Sequence, residues 1–459
     1  MKRLSIVLMA CALAHGCSTQ SPRVDRSGEM IPAAWIGDAA GGVGNPHSWW
    51  KSFQDPQLDA LVDQALRTNN DFAAAAIRVR RADLQSALID TNRTPVVAVD
   101  AFSTATRGFS PKFTARSAGV TSLLSFEIDL WGKLAKQRQA GRWEAEATVA
   151  DCRSFAQWLV GTTAKLYWDI AYLNQLIAMA DADIDYARRT LELAQAKYEV
   201  GSISRLNAAE SELSLSTQQA ARTQLLQQRT EARNALAILF NQPPQATGVE
   251  RATLPEGGLP PIGAAVPAQI LANRPDLESA ELRLREALVN VDITRASFYP
   301  TLSLTGSFGT SSDSLVKFLN NPVGTLGGDL ALPFLQWNTA KLTTRIARNQ
   351  FEEAQVQFRQ RLYTAMAEVE NALSARTQLQ SEEQALRKAV EQAKLAETIA
   401  RTRFQAGASD VQLWLDAQMR VRGVERSLVS NRLNQFDNQA DLYRALGLGV
   451  ESDRLACGV

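Results

Sequence analysis

The sequence predicts a mostly α-helical, exported chain with two membrane-type β-hairpins, built from two copies of one unit. Three observations support this. Proline-free stretches exceed a hundred residues, two segments alternate with period two, and a set of residues recurs at a near-constant offset.

Proline in a helix interior costs about 3 kcal/mol, so proline-free runs show where long helices can form. Such runs lie between Pro56 and Pro95, between Pro111 and Pro243, between Pro275 and Pro300, and from Phe334 onward. The two longest are rich in Ala, Leu, Gln, Glu and Arg, all good helix formers. Leu176, Ala180, Ile184, Ala187, Leu191, Ala194 and Tyr198 step by four or three, one face of a coiled-coil helix. A helix from about Lys133 to Glu199 would run ~100 Å at 1.5 Å per residue. That length argues against an ordinary soluble bundle, the other reading of such a stripe.

Two segments alternate instead. Leu302, Leu304, Gly306 and Phe308 interleave with Thr301, Ser303, Thr305 and Ser307. Val120, Ser122, Leu124, Phe126, Ile128 and Leu130 interleave with Thr121, Leu123, Ser125, Glu127 and Asp129. With weaker strands at 97–106 and 326–332 they predict two hairpins. Their strands of roughly ten residues suit a transmembrane β-strand. A soluble two-faced sheet is the alternative. Trp131, Phe298, Tyr299, Phe334 and Trp337 gather at the strand bases, as an interfacial girdle or as a buried aromatic core.

The N-terminus carries Lys2 and Arg3, then an apolar run from Leu4 to Leu13 broken only by Ser5. The run is about half of the ~20 residues that a spanning helix needs, so residues 1–16 are expected to be a secretory signal. Ala14-His15-Gly16-Cys17 resembles the lipobox of bacterial lipoproteins, which implies an acyl and diacylglycerol lipid on Cys17. Cys11 is the rival, and it would leave a shorter apolar core. Ser18 after the cysteine resembles lipoproteins sent to the outer membrane.

Without residues 1–16 the chain has 47 basic and 48 acidic residues, against 49 and 48 in full. This balance gives no electrostatic basis for nucleic-acid binding. Cys152 and Cys457 remain, and two cysteines so far apart are expected to be unpaired. His47 is the one remaining histidine. No metal-ligand spacing, phosphate loop or nucleophile elbow appears, so neither an enzyme nor a resident cofactor is expected.

Asn70-Asp71-Phe72 recurs as Pro275-Asp276-Leu277, Arg78 as Arg283, and Pro95 as Pro300, each 205 residues on. Lys197-Tyr198-Glu199-Val200-Gly201 recurs as Arg403-Phe404-Gln405-Ala406-Gly407, and Leu236 as Leu442, 206 residues on. One insertion explains the slip. Each unit reads helix, hairpin, very long helix, glycine turn, return helix. The segments are 17–56 (N-terminal, extended), 57–240 (first repeat), 241–267 (linker), 268–447 (second repeat) and 448–459 (tail). Four strands cannot close a barrel, and open edges are not tolerated in lipid. Several copies must therefore assemble.

Here the chain resembles the TolC-type outer-membrane factors of tripartite efflux systems, in their lipoprotein branch. The residues that carry the resemblance are Trp49-Trp50, Phe53, Asp55-Pro56, Leu58 and Leu61 at the start. Asn273-Arg274-Pro275-Asp276-Leu277 and Tyr299-Pro300 carry it in the middle. Leu415-Asp416-Ala417-Gln418 and Leu442-Tyr443-Arg444-Ala445-Leu446-Gly447 carry it near the end. The resemblance implies a homotrimer with a twelve-stranded β-barrel in the outer membrane and a long twelve-helix α-barrel in the periplasm. It also implies an equatorial belt made by the N-terminal, linker and tail segments, with an inner-membrane transporter and a periplasmic adaptor as partners. A periplasmic adaptor is the alternative function, disfavoured by the duplicated hairpins.

Val200-Gly201-Ser202-Ile203 and Ala406-Gly407-Ala408-Ser409 resemble the family's adaptor-contacting tip turns. Asp416 resembles its pore-constricting acid. Gln412, one turn below, stands where an apolar residue is common. Asp416 could alternatively pair with Arg420 at i+4. The family's Tyr and Arg gate partners are not matched, since Phe404 and Ser409 stand near those positions.

Overall fold

The computed structural model describes residues 31–32, 34–36, 48–244, 248, 250–261, 273–312, 322–450 and 457. Cys17, the signal segment, His47 and parts of the 17–56, 241–267 and 448–459 segments lie outside these residues. In chain order the elements are α1 (Pro56–Thr68), α2 (Asn70–Asp90), β1 (Val96–Phe109), β2 (Lys112–Ile128), α3 (Lys133–Glu199), α4 (Arg205–Leu239), α5 (Pro275–Ala296), β3 (Thr301–Ser312), β4 (Pro322–Ala331), α6 (Trp337–Gln405) and α7 (Val411–Ala445). The predicted long helix from Lys133 to Glu199 is α3. The repeat is visible in element lengths: α3 and α6 have 67 and 69 residues, and α4 and α7 have 35 each.

The chain divides into two compact units, and each draws on both repeats. One contains Val79–Thr148 and Ser279–Gln360, the other Val149–Glu278 and Arg361–Val459 with Met30–Arg78. In the first, the strands form one antiparallel sheet in the order β1-β2-β3-β4. Register puts Val97 opposite Leu124, Leu124 opposite Gly306, and Gly306 opposite Leu326. One face therefore collects Val97, Val99, Leu124, Leu304, Phe308, Leu326 and Leu330, all exposed. The other face carries Asp100, Glu127 and Asp329 among Ser and Thr, with Val96, Phe102, Leu123 and Val323 interspersed. The first face is the more apolar, as the outer face of a barrel wall is. Among the described residues β1 and β4 pair on one side only.

The strands of the first hairpin are longer than expected, 14 and 17 residues, and meet at Ser110-Pro111. Arg107, Lys112 and Arg116 lie in the added length. Exposed Phe109 and Phe113 stand among these charges, so backbone pairing continues where regular hydrophobic alternation has faded. The aromatics at the bases are exposed or partly so, not a buried core. Trp131 Nε1 donates to the Pro300 carbonyl oxygen (2.7 Å) and packs edge-on against Tyr299. Beneath them Lys136 pairs with Asp292 at 3.1 Å, and Arg283 with Glu144 at 3.1 Å.

In the second unit α7 packs against α6, α3 and α4. Asn438 and Asn431 of α7 donate to the Ala372 and Leu379 carbonyl oxygens of α6. Lys165 of α3 pairs with Asp441 of α7 at 2.6 Å. Arg229 of α4 donates to Asn174 of α3 at 3.1 Å. The Trp49-Trp50 motif sits in the largest apolar cluster, with Leu58, Val62, Trp168, Phe436 and Tyr443. Trp49 stacks on Tyr443 with ring centroids 4.9 Å apart. Each such side chain contributes about 1.5–3 kcal/mol by leaving water.

Polar residues of the motifs hold this core in place. Asp55 caps α1 through the Gln57 and Leu58 N–H groups, and its other oxygen accepts from Tyr167 (2.9 Å) and Arg251 (2.7 Å). Burial alone would raise the Asp55 carboxyl, but these hydrogen bonds hold it below its ordinary value. Arg274 is buried and paired with Asp276 and Glu368, both at 2.8 Å.

The cysteine expectation is overturned. Cys152 of α3 and Cys457 of the tail form a disulfide with Cα atoms 5.9 Å apart. Sequence distance was the wrong guide, because the fold brings the tail back onto α3.

Asp437 of α7 is mostly buried, and one of its oxygens has no partner among the described residues. Burial raises its carboxyl to about 6. Lys165 opposes the shift, while Asp441 and Asp169 add to it. A folded-state pKa above the unfolded value penalises the native state as pH rises through that range, and fully above about 6. Asp437→Asn is therefore expected to stabilise the protein by about 1–3 kcal/mol at pH 7.5 and by almost nothing at pH 4. Thermal unfolding in detergent at the two pH values checks this.

Candidate functional site

The long helices end where glycine permits a left-handed residue. Gly201 has φ +73° and Gly407 has φ +74°. At the first turn the Ser202 N–H donates to the Lys197 carbonyl oxygen (2.8 Å), and that of Gly201 to Tyr198 (2.9 Å). At the second, Ala408 donates to Arg403 (2.9 Å) and Gly407 to Phe404 (3.0 Å). Both are Schellman ends, which satisfy carbonyls that the helix leaves unpaired. The two turns are the same structure at an offset of 206. The return helices close alike: Asn241 (φ 55°) ends α4, and Gly447 (φ 72°) ends α7.

Val200, Gly201, Ser202, Ala406, Gly407 and Ala408 are exposed. Ile203 and Ser409 are half-buried. Ile203 packs against a cluster of Phe404, Val411, Trp414, Leu415 and Ala417. Phe404 and Trp414 rings lie 5.5 Å apart, and Tyr186 meets Trp414 edge-on. One Glu397 oxygen accepts from both the Tyr186 hydroxyl and Trp414 Nε1. Burial and the bond to Glu397 raise the Tyr186 hydroxyl above its ordinary value.

Three further contacts tie the turns together. Asn207 Oδ1 accepts from the Ser204 N–H, and Asn207 Nδ2 donates to Asp410 at the start of α7. Lys197 Nζ donates to the Phe404 carbonyl oxygen (2.7 Å) and sits 4.3 Å from the Phe404 ring centroid. Higher up, Gln418 Nε2 donates to Thr190 (3.3 Å) and Arg422 to Gln418 (3.4 Å), so a polar layer lies in the α3-α7 seam.

Asp416 accepts from Gln412 Nε2 at 2.8 Å. Among the described residues no ion pair joins Asp416 to Arg420. Gln412 is exposed and Asp416 half-buried. Sequence reading found Asp416, Gln412 and the turns but not Lys197, Asn207, Trp414 or Glu397. One signal was present. Gln418 and Arg422 continue at i+4 the face of Val411, Trp414 and Leu415, and polar residues on a seam usually have a partner.

A model of the family described as Outer membrane efflux protein matches residues 61–242 and 266–448. The pyoverdine export outer membrane protein OpmQ of Pseudomonas putida is 28% identical over 463 residues, spanning 98% of this chain and 97% of that protein. The open-state structure of the Neisseria gonorrhoeae MtrE outer membrane channel superposes with a TM-score of 0.80 at 27% identity, over 94% of this chain and 99% of that one. The outer-membrane channel OprN superposes with a TM-score of 0.84 at 22% identity, over 95% and 99%.

Room around the glycines ranks them. A Cβ at Gly201 or Gly407 meets nothing within 4 Å, whereas one at Gly447 would lie 2.7 Å from the Asn273 carbonyl oxygen. Gly201→Ala and Gly407→Ala are expected to cost about 1–2 kcal/mol each, the left-handed penalty alone. Gly447→Ala is expected to cost clearly more, because backbone must shift as well. Thermal unfolding of the three variants checks the order.

Proposed function

Because the chain belongs to the outer membrane efflux protein family, we propose that its open sheet and duplicated helices are one third of a closed conduit. The protein is an outer-membrane efflux channel, not an enzyme. Three copies would pool their hairpins into a twelve-stranded β-barrel and their long helices into a twelve-helix α-barrel reaching into the periplasm. The observation that supports this best is the apolar-faced sheet with both edges unpaired among the described residues. A lipid-exposed edge is too costly to persist, and only closure with other copies removes it.

Efflux channels of this family work with an adaptor and an inner-membrane pump. In this chain the exposed residues of the two Schellman turns, Val200 to Ser202 and Ala406 to Ala408, would meet the adaptor. Asp416, supported by Gln412, would form a ring of like charges at the narrow end. Such a ring favours cations and resists its own closure. A lipid on Cys17 would hold the N-terminus at the outer membrane.

In planar bilayers the purified protein should conduct, and Asp416→Ala should lower cation selectivity and, by removing the repulsion, lower leak. Unchanged single-channel currents would remove Asp416 from the pore, and a soluble monomer would sink the conduit. Labelling with palmitate should mark the wild type and not Cys17→Ser, and equal labelling would refute the anchor.

A further inference from the structure

The tip holds one cation–ring clasp within the chain and the unmated halves of a second. Lys197, near the end of α3, bonds the Phe404 carbonyl oxygen and covers the Phe404 ring. The 206-residue repeat carries Lys197 to Arg403 and carries Phe404 back to Tyr198. The chain thus has a second cation and a second ring at the same two positions of the same Schellman ends. Among the described residues Arg403 has no ionic partner and Tyr198 no ring contact. Tyr198 is 44% exposed, whereas Phe404 is 1% exposed.

The first clasp links the first repeat to the second. Applied once more, the same step leaves the chain, because the described part holds no third repeat. We propose that Arg403 of one copy clasps Tyr198 of the next. The guanidinium would cover the phenol ring and donate to the Tyr198 carbonyl oxygen, which already accepts one bond from Gly201, as Phe404 does from Gly407. The apolar residue one turn earlier agrees. Leu193 packs on the Phe404–Trp414 cluster, and its equivalent Ile399 is 48% exposed. Arg on Tyr is chemically at least as good a pair as Lys on Phe, because guanidinium stacks flat on a ring. The closed tip would then be a ring of clasps alternating between within-chain and between-chain pairs. This rests on the multi-copy conduit proposed above.

The test uses the full chain in outer-membrane vesicles. Tyr198→Cys with Arg403→Cys, treated with a short bis-maleimide, should give covalent dimers and trimers, and either single variant should not. Links confined within one chain, or none, in vesicles where an amine cross-linker still traps trimers, would overturn the clasp and leave the assembly standing. Trapping of monomers alone would overturn both. As a second reading, Arg403→Ala should raise closed-state leak at least ~3-fold and Arg403→Lys should restore it. Equal leak in the two variants would also overturn the clasp.

Discussion

Backbone groups in lipid have no water to bond, and this constraint organises the rest of the structure. One chain offers four strands, and register places most of their exposed apolar residues on one face. The sheet is long enough and apolar enough for a membrane, yet among the described residues β1 and β4 each pair on one side only. No side-chain chemistry can satisfy those edges. Closure by further copies can, and it turns a stave into a wall.

The helices answer a related need. Gln- and Glu-rich helices of 67 and 69 residues cannot be covered by one another over their whole surface. In the second unit α7 touches α6, α3 and α4, and α3 also reaches α6 through Tyr186 and Lys197. Duplication makes this economical. On the proposed assembly, the contact that α3 makes with the second repeat has its equivalent between α6 and another chain. The same residue positions would then serve inside and between copies, with different side chains. Lys197 and Phe404 are mated within the chain, whereas Arg403 and Tyr198 are left over.

Some of the asymmetry between the repeats has clear chemical content. Trp414, Glu397 and Asp410 have Ala208, Leu191 and Ser204 as their equivalents, so the aromatic and acid network belongs to one seam. Asp416 faces Glu210 in register, but only Asp416 has Gln412 one turn below. Buried acids mark the same seam. Asp437 and Asp183 are raised by burial, both farther from the glycine turns than the polar layer of Thr190, Gln418 and Arg422. A seam built of groups that would rather be solvated is less costly to open than a purely apolar one. That property suits a conduit that must open and close.

The sequence by itself determined the long helices, the hairpins, the repeat and the glycine turns. These depend on local rules: proline exclusion, period two, and the positive φ that glycine allows. The family resemblance, not a local rule, singled out Asp416, and spacing adds only that Gln412 shares its helix face. Only the tertiary structure decided which residues meet across elements. It paired Cys152 with Cys457 and aimed Lys197 at Phe404. It joined Asp55 to Tyr167 and Arg251, and set Trp414 and Tyr186 on one Glu397 oxygen. The reason is that such contacts depend on strand register and helix rotation, which many distant residues set together. A one-residue change in either would give the same sequence pattern a different set of partners.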